Sequence, residues 1–403
     1  MFSPLRFRPN FVLISFLGLA AAGLATIGCA PQLASTAGLD GHDYLVYIGT
    51  NVAGPQENTI YLYRLNASTG ALTAVSAQKG GAQPTYLTLD AEHRYLYAVS
   101  ETQTYQAFVN SGGVSALAIN QRTGGLTLLN QMPSLGASPC YISLDRTGKE
   151  VLVANYAGGN VALLPRQLTG QLAAPADNDL HQPPTGPHKN QDKAHAHCII
   201  PAPDNRYAFA VDLGTDKVYR YALDLAHNKL GKPAEAAFTA KPGAGPRHLT
   251  FHPNGRWAYL ENELNSTVTA LLYNAQEGSF QEIQTLSTLP AGFTGENSGA
   301  DVHVSPDGRF VYTSNRGDNS LAVFSVDENS GQLTLEQHIS TQGKTPRNFA
   351  LDPSGRILLV ANQNSDNVLT YQVDKRTGRL TLTGQSVRVP SPMFVAVVPD
   401  FTR

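Results

Sequence analysis

Ten polar residues interrupt stretches that are otherwise apolar: His195, His197, Arg247, His248, Glu263, Asp301, His303, Asn315, Arg316 and Arg347. Charged residues make up only 15% of the 403-residue chain, so several Arg, a Glu and a pair of His at the edges of apolar runs form a concentration. A guanidinium holds a carboxylate, a phosphate or a developing oxyanion through paired N–H donors, and a nearby Glu or neutral His can take a proton. His195-Ala196-His197 alternates onto one strand face, a spacing that also suits a metal. No third ligand stands at fixed spacing and no CxxC or Cys/His cluster is present, so neither a metal nor a cofactor is expected. A G-x-S-x-G motif is absent, which disfavours a covalent serine route.

Repeat logic removes other candidates. Arg256, Arg309 and Arg356 lie inside NGR, DGR and SGR turns that recur along the chain, and turn geometry accounts for them. Asn155, Asn262, Asn315 and Asn362 end equivalent strands, where capping a turn is the default role.

The elements that must position these residues follow from the repeat. An apolar strand led by Pro or His, a polar turn and a second apolar strand ending near Asn recur from Pro84, Pro139, His197, Pro246, Ala300, Pro346 and Pro392, 46 to 58 residues apart. Each complete unit continues into another alternating strand, such as NVALLPR or SLAVFSV, and several close with a TGxL-type turn. Apolar runs punctuated by Asp-Gly or Asn-Gly are hairpin-linked strands, and sheets stacked radially bury both faces of each unit. The last copy stops after one strand, at Pro399-Asp400, whereas the segment from Tyr44 carries strands without their first member. Joined, they complete a seventh unit. The expected fold is all-β, a seven-bladed β-propeller spanning residues 43–403 with one blade closed by N- and C-terminal strands. Equivalent points of different repeats then meet around the central channel. Residues 168–194, rich in Pro and Asn/Asp, read as a long excursion between blades.

Lys and Arg total 29 against 31 Asp and Glu, a net charge of −2 that offers no footprint for nucleic acid. Residues 1–28 read as an export signal: Arg6 and Arg8 precede 17 uncharged residues, 11–27. Cys29 after Ala-Thr-Ile-Gly resembles a bacterial lipobox, in which that Cys is lipidated and begins the mature chain. A simply cleaved signal and a retained anchor are the alternatives. All three place the protein outside the cytoplasm, in the periplasm or envelope, with a lipid anchor as its contact with membrane. Residues 29–42 read as a flexible tether. Cys140 and Cys198 fall on matching strands of adjacent repeats and are expected to be buried and unpaired.

Three stretches carry a family resemblance: GAGPRHLTFHPNGRWAYLENELNSTV (243–268), AHAHCIIPAPDNRYAFAVDLGTDKVYRY (194–221) and VHVSPDGRFVYTSNRGDNSLAVF (302–324). They resemble the lactonase family of seven-bladed propellers, the 6-phosphogluconolactonase type, which also includes fungal carboxy-muconate cyclising enzymes. The resemblance implies a catalytic set of one His, two Arg and a Glu, which falls on His197 of HAH, Arg247 of GPRH, Glu263 of NEL and Arg316 of SNR. His195, His248, Asn315 and Arg347 are the expected substrate-binding neighbours. The implied activity is hydrolysis of a sugar-type lactone at the channel mouth, with Glu263 or a neutral His197 as base. A lactone-forming cycloisomerase and a non-catalytic binding propeller are the competing readings. Oligomeric state is open.

Overall fold

The computed structural model describes residues 43–54, 57–232 and 234–403. The expected export signal, Cys29 and the whole of the expected tether lie outside the described residues.

Seven sheets carry the chain, six with four strands in a row from innermost to outermost and one, blade 3, with a fifth short strand, Lys229–Leu230, which shares the strand Lys217–Asp224 with Glu235–Thr239. Blade 1 starts with Leu87–Leu89, blade 2 with Pro139–Leu144, blade 3 with Ala196–Pro201 and blade 4 with Pro246–Phe251. Blade 5 starts with Gly299–Val304 and blade 6 with Pro346–Leu351. Blade 7 takes its innermost strand from Pro392–Pro399, which pairs antiparallel with Tyr44–Thr50, followed outward by Ile60–Leu65 and Leu72–Gln78. The two incomplete repeats of the sequence therefore complete each other.

Strands in the middle of each blade are buried on both faces, as in Glu150–Asn155, Phe310–Asn315 and Ile357–Asn362. Apolar clusters form between successive blades: Phe209 of blade 3 packs with Leu249 and Leu260 of blade 4, and Leu45 of blade 7 with Leu87 and Leu96 of blade 1. This two-sided burial explains the low charge content.

The TGxL turns serve a second purpose. Gly124, Gly331 and Gly378 adopt φ of 71°, 74° and 70°, a left-handed conformation that glycine reaches without steric cost. Their carbonyls accept hydroxyls from the preceding blade: Tyr47 to Gly124 at 2.8 Å, Tyr259 to Gly331 at 3.2 Å and Tyr312 to Gly378 at 3.0 Å. The repeated turn is thus a latch between blades.

Three features depart from the sequence reading. Residues 168–194 contain the strand Asp177–Leu180, the outermost of blade 2. An exposed edge strand needs only backbone pairing, so DNDL carries no apolar alternation to signal it. Blade 1 also gains a short ribbon, Thr104–Tyr105 with Phe108–Val109. Three of the four strand-ending Asn reach across to the neighbouring blade. Asn155, Asn315 and Asn362 each donate from Nδ2 to the carbonyl that follows the previous blade's outer strand: Ser134, Thr288 and Thr341. Asn262 keeps the expected role and donates across its own turn to Thr267 and Thr269.

Candidate functional site

The inner strands begin with a defect that exposes chemistry. Pro139, Ala196, Pro246 and Pro346 pair normally, the next residue is skipped, and pairing resumes one position later. The extra residues are Cys140, His197, Arg247 and Arg347. A bulge of this kind takes a residue out of the ladder and re-aims its side chain. Repetition around the ring brings the four toward one another, and Arg247, Arg347 and Cys140 line a cavity of about 10 Å³ with Glu101 and His248.

Arg247, Glu263 and Arg316 come together. Glu263 directly follows the strand Trp257–Asn262, with its N–H on Gly245 O at 2.7 Å and its carbonyl accepting Gly299 N–H at 3.0 Å. Its Oε2 lies 3.0 Å from Arg247 Nε and 2.8 Å from Arg316 Nη2. The Arg247 Nε–H is not aimed at that oxygen, so the contact is an ion pair without a hydrogen bond. Arg316 Nη2 also donates to Gly299 O at 2.9 Å, and Arg247 Nη1 donates to Ala300 O. Burial works to raise the Glu263 pKa, but Arg316 and then Arg247 outweigh it, and the carboxylate is held below its ordinary range. Side-chain exposure is 2% for Arg247 and 14% and 15% for Glu263 and Arg316, so the open side of this cluster is the Glu263–Arg316 side.

His248 is consumed beneath it. Its Nδ1 lies 2.7 Å from Asp301 Oδ1, and its Nε2 lies 3.1 Å from Arg247 Nη1. An arginine donor requires a lone pair on Nε2, so the proton sits on Nδ1 and points at Asp301. Burial, then Arg247, lowers the His248 pKa to about 4, which fits the neutral ring. Asp301 also contacts His303 Nε2 at 2.9 Å and accepts from Asn348 Nδ2 at 2.5 Å. Burial opposes its charge, but His303 and His248 hold its pKa far below the carboxylate range.

The remaining predicted residues have other occupations. His197 is buried with its Nδ1 3.6 Å from Cys140 Sγ and its ring edge-on to Tyr156 and His248. Burial, then Arg247 and His248, keeps it neutral well below its ordinary pKa. His195 stacks on Tyr156 and contacts Asp192 at 2.9 Å and Tyr156 O at 3.0 Å, so it pins the end of the 168–194 segment. Asn315 is fully buried and spends its amide on Thr288 O and its oxygen on Thr288 Oγ1 and Asn297. Arg347 stays near Arg247, and burial followed by Arg247 lowers its pKa to about 10. Cys140 and Cys198 are buried and unpaired, as expected.

Sequence reasoning missed Glu261. It is wholly buried and neither carboxylate oxygen has a hydrogen-bond partner. Its Oε1 fills the space where a Cβ on Gly299 would stand, 1.5 Å away. Burial raises its pKa well above the ordinary value, so Glu261 holds a proton while Glu263, two residues on, does not. The Glu-Asn-Glu spacing was the only available signal.

Arg316 also lines an open cleft of about 420 Å³ between residues 188–190 and 296–298. A larger cleft of about 570 Å³ sits at the other ends of the inner strands, near Leu89, Leu144 and Phe251, and holds none of the residues above. The smaller one adjoins the chemistry.

Comparison with known proteins agrees with this architecture. A family model described as "Lactonase, 7-bladed beta-propeller" matches residues 45–397. The chain is similar to a 6-phosphogluconolactonase of Bacillus subtilis, 39% identical over 77% of this chain and 85% of the relative. It is also similar to a 6-phosphogluconolactonase of Formosa agariphila, 33% identical over 76% of this chain and 86% of the relative. Among solved structures it resembles a periplasmic gluconolactonase of Pseudomonas aeruginosa, with TM-score 0.82, 35% identity and coverage of 88% and 99%.

Proposed function

Since this chain belongs to the lactonase family of seven-bladed β-propellers and is a lactone hydrolase, we propose that its substrate is a sugar-type lactone, opened at the channel mouth by Glu263, Arg247 and Arg316. The observation that carries this reading is the Glu263 carboxylate, ionised between two guanidiniums and partly open on the side where Arg316 borders a cleft. Glu263 takes a proton from water, and the hydroxide adds to the lactone carbonyl. Arg316 and Arg247 hold the oxyanion as it develops. Collapse of the tetrahedral adduct breaks the ring C–O bond, and the Glu263 carboxyl returns its proton to the departing alkoxide, leaving a hydroxy acid. His197 is neutral, but it is buried against Cys140 and Tyr156, so Glu263 is the better placed base.

The test is acid release from gluconolactone in a weakly buffered solution, followed for the wild type and for Glu263→Gln. Wild-type rates no higher than spontaneous hydrolysis would leave a binding propeller as the surviving reading. The same proposal places the protein in the cell envelope, supported by the signal-like residues 1–28 and by likeness to a periplasmic relative. Intact mass of the mature protein checks it: a chain that begins at a lipidated Cys29 is the expected result, and an unmodified N-terminus beyond Cys29 would overturn lipidation.

A further inference from the structure

We infer that the cleft beside Arg316 is a hydroxyl-reading subsite, which accepts the uncharged hydroxyl-bearing edge of the lactone while its carbonyl sits at Glu263. This rests on the lactone-opening reading above and adds to it the part of the substrate that is recognised and the residues that recognise it.

The cleft's polar groups are unspent. Among the described residues, the side chains of Lys189, Asn190, Glu296, Ser298 and Thr345 make no hydrogen bond or ion pair, although all five line the cleft. They supply a mixture of functions: Lys donates, Glu accepts, and Asn, Ser and Thr do both. A hydroxyl also donates and accepts at one atom, so a row of hydroxyls can satisfy such a wall, whereas a phosphate offers acceptors alone. Charge points the same way. Beyond Arg316, which is already engaged by Glu263, the cleft carries one cation, Lys189, opposed by one anion, Glu296. A phosphate would gain from the first and be repelled by the second. Leu264 is the one apolar side chain in the lining, which leaves little for a hydrophobic tail.

Both walls are fixed before any ligand arrives. The 168–194 segment is fastened by His181, whose ring sits 2.6 Å from Asp212 and 2.9 Å from Tyr221 Oη. Nearer the tip, Gly186 N–H reaches Gly214 O at 2.8 Å, Gln191 Nε2 donates to Leu213 O at 2.8 Å, and its Oε1 accepts His188 N–H at 3.0 Å. Opposite, Asn297 gives its amide to Ser266 Oγ and Asn315 Oδ1, and its oxygen accepts the N–H groups of Gly317 and Asp318. Polar groups on such anchored loops bind without a large ordering cost.

The experiment compares kcat/KM for gluconolactone, which bears hydroxyls, with δ-valerolactone, which has the same ring size and none. It is run on the wild type, Asn190→Ala and Glu296→Ala. The ratio should fall about tenfold in each variant, mainly through KM, which corresponds to one or two lost hydrogen bonds. In the wild type, 6-phosphogluconolactone should be a poorer substrate than gluconolactone, and Glu296→Gln should narrow that gap. Variants that lose both lactones in proportion, or neither, would overturn the subsite, as would a wild type that prefers the phosphorylated lactone. A wild type that opens none of the three rings would overturn the hydrolase reading itself, a result distinct from an altered ratio. Because δ-valerolactone reports on the folded catalytic cluster in each variant, misfolding is recognised as loss of both activities together with loss of the unfolding transition.

Discussion

Replacing Glu263 by Gln removes one negative charge while leaving the shape of the side chain nearly intact. The wild-type carboxylate lies 3.0 Å from Arg247 and 2.8 Å from Arg316. At an effective dielectric of about 20, each contact has a gross Coulomb energy of roughly 6 kcal/mol, most of which offsets the desolvation of the charges. The remainder is lopsided after substitution, because Arg247 is almost wholly buried and is left without its counter-charge. Breaking one side of a buried pair costs about 3–5 kcal/mol, and the partial exposure of Glu263 and Arg316 places the expected loss near the lower end, about 3 kcal/mol. Catalysis should fall further, by about 10²–10⁴ in kcat, if the same carboxylate is the base. Urea unfolding at pH 7 reads the first quantity and acid release from gluconolactone reads the second. Glu263→Asp separates them: it keeps the charge near both guanidiniums but retracts it by a methylene, so stability should recover more than turnover. If Glu263→Gln unfolds within about 0.5 kcal/mol of the wild type, the size expected of an unremarkable surface substitution, and keeps its rate, neither the ion-pair cluster nor the base assignment stands.

Glu261→Gln should behave in the opposite sense. Burial raises the Glu261 pKa in the fold, so above the unfolded value of about 4.3 the folded chain retains a proton that the unfolded chain releases. Wild-type stability therefore falls as pH rises through that window, by up to about 1.4 kcal/mol per pH unit, while the Gln variant lacks this contribution. The two denaturation midpoints should nearly coincide at pH 4 and separate in favour of Gln as pH rises; parallel curves from pH 4 to 8 would contradict a neutral buried Glu261. Gly299→Ala should destabilise by about 1–3 kcal/mol through overpacking, since the new Cβ would lie 1.5 Å from Glu261 Oε1. It should also slow turnover, because Gly299 O holds the Arg316 guanidinium. Adding Glu261→Ala should recover part of the stability, and strictly additive losses would show that the two positions do not meet.

Much of the ring was legible because a propeller repeats its solution. The Pro-led strand, the DGR turn and the TGxL turn recur, and the mismatched ends at Tyr44 and Pro392 predicted the closing pair. Arg247, Glu263 and Arg316 stood out for the converse reason, as charges that the repeat did not require. What escaped notice was whatever the repeat does not encode. The strand Asp177–Leu180 is held by backbone alone, and the cleft walls at 188–190 and 296–298 come from loops that occur once. His195, His248 and Asn315 were expected to bind substrate, but a sequence does not show that their polar atoms are already taken by Asp192, Asp301 and Thr288. The bulge explains why position mattered: the residue after the leading Pro is the one turned out of the ladder.

Closure of blade 7 has a consequence for the order in which the molecule can be made. The strand Tyr44–Thr50 is synthesised long before its inner partner, Pro392–Pro399, which follows all six intervening blades in the chain. Blades 1 to 6 are each continuous in sequence and can assemble as they appear, but the gap beside Tyr44 cannot fill until Pro392–Pro399 has been made. A nascent or truncated chain ending before Pro392 therefore keeps an unpaired strand edge beside Tyr44, a template for another chain. The strand Pro392–Pro399 acts as a completion signal: its arrival both seals the circle and covers the edge beside Tyr44.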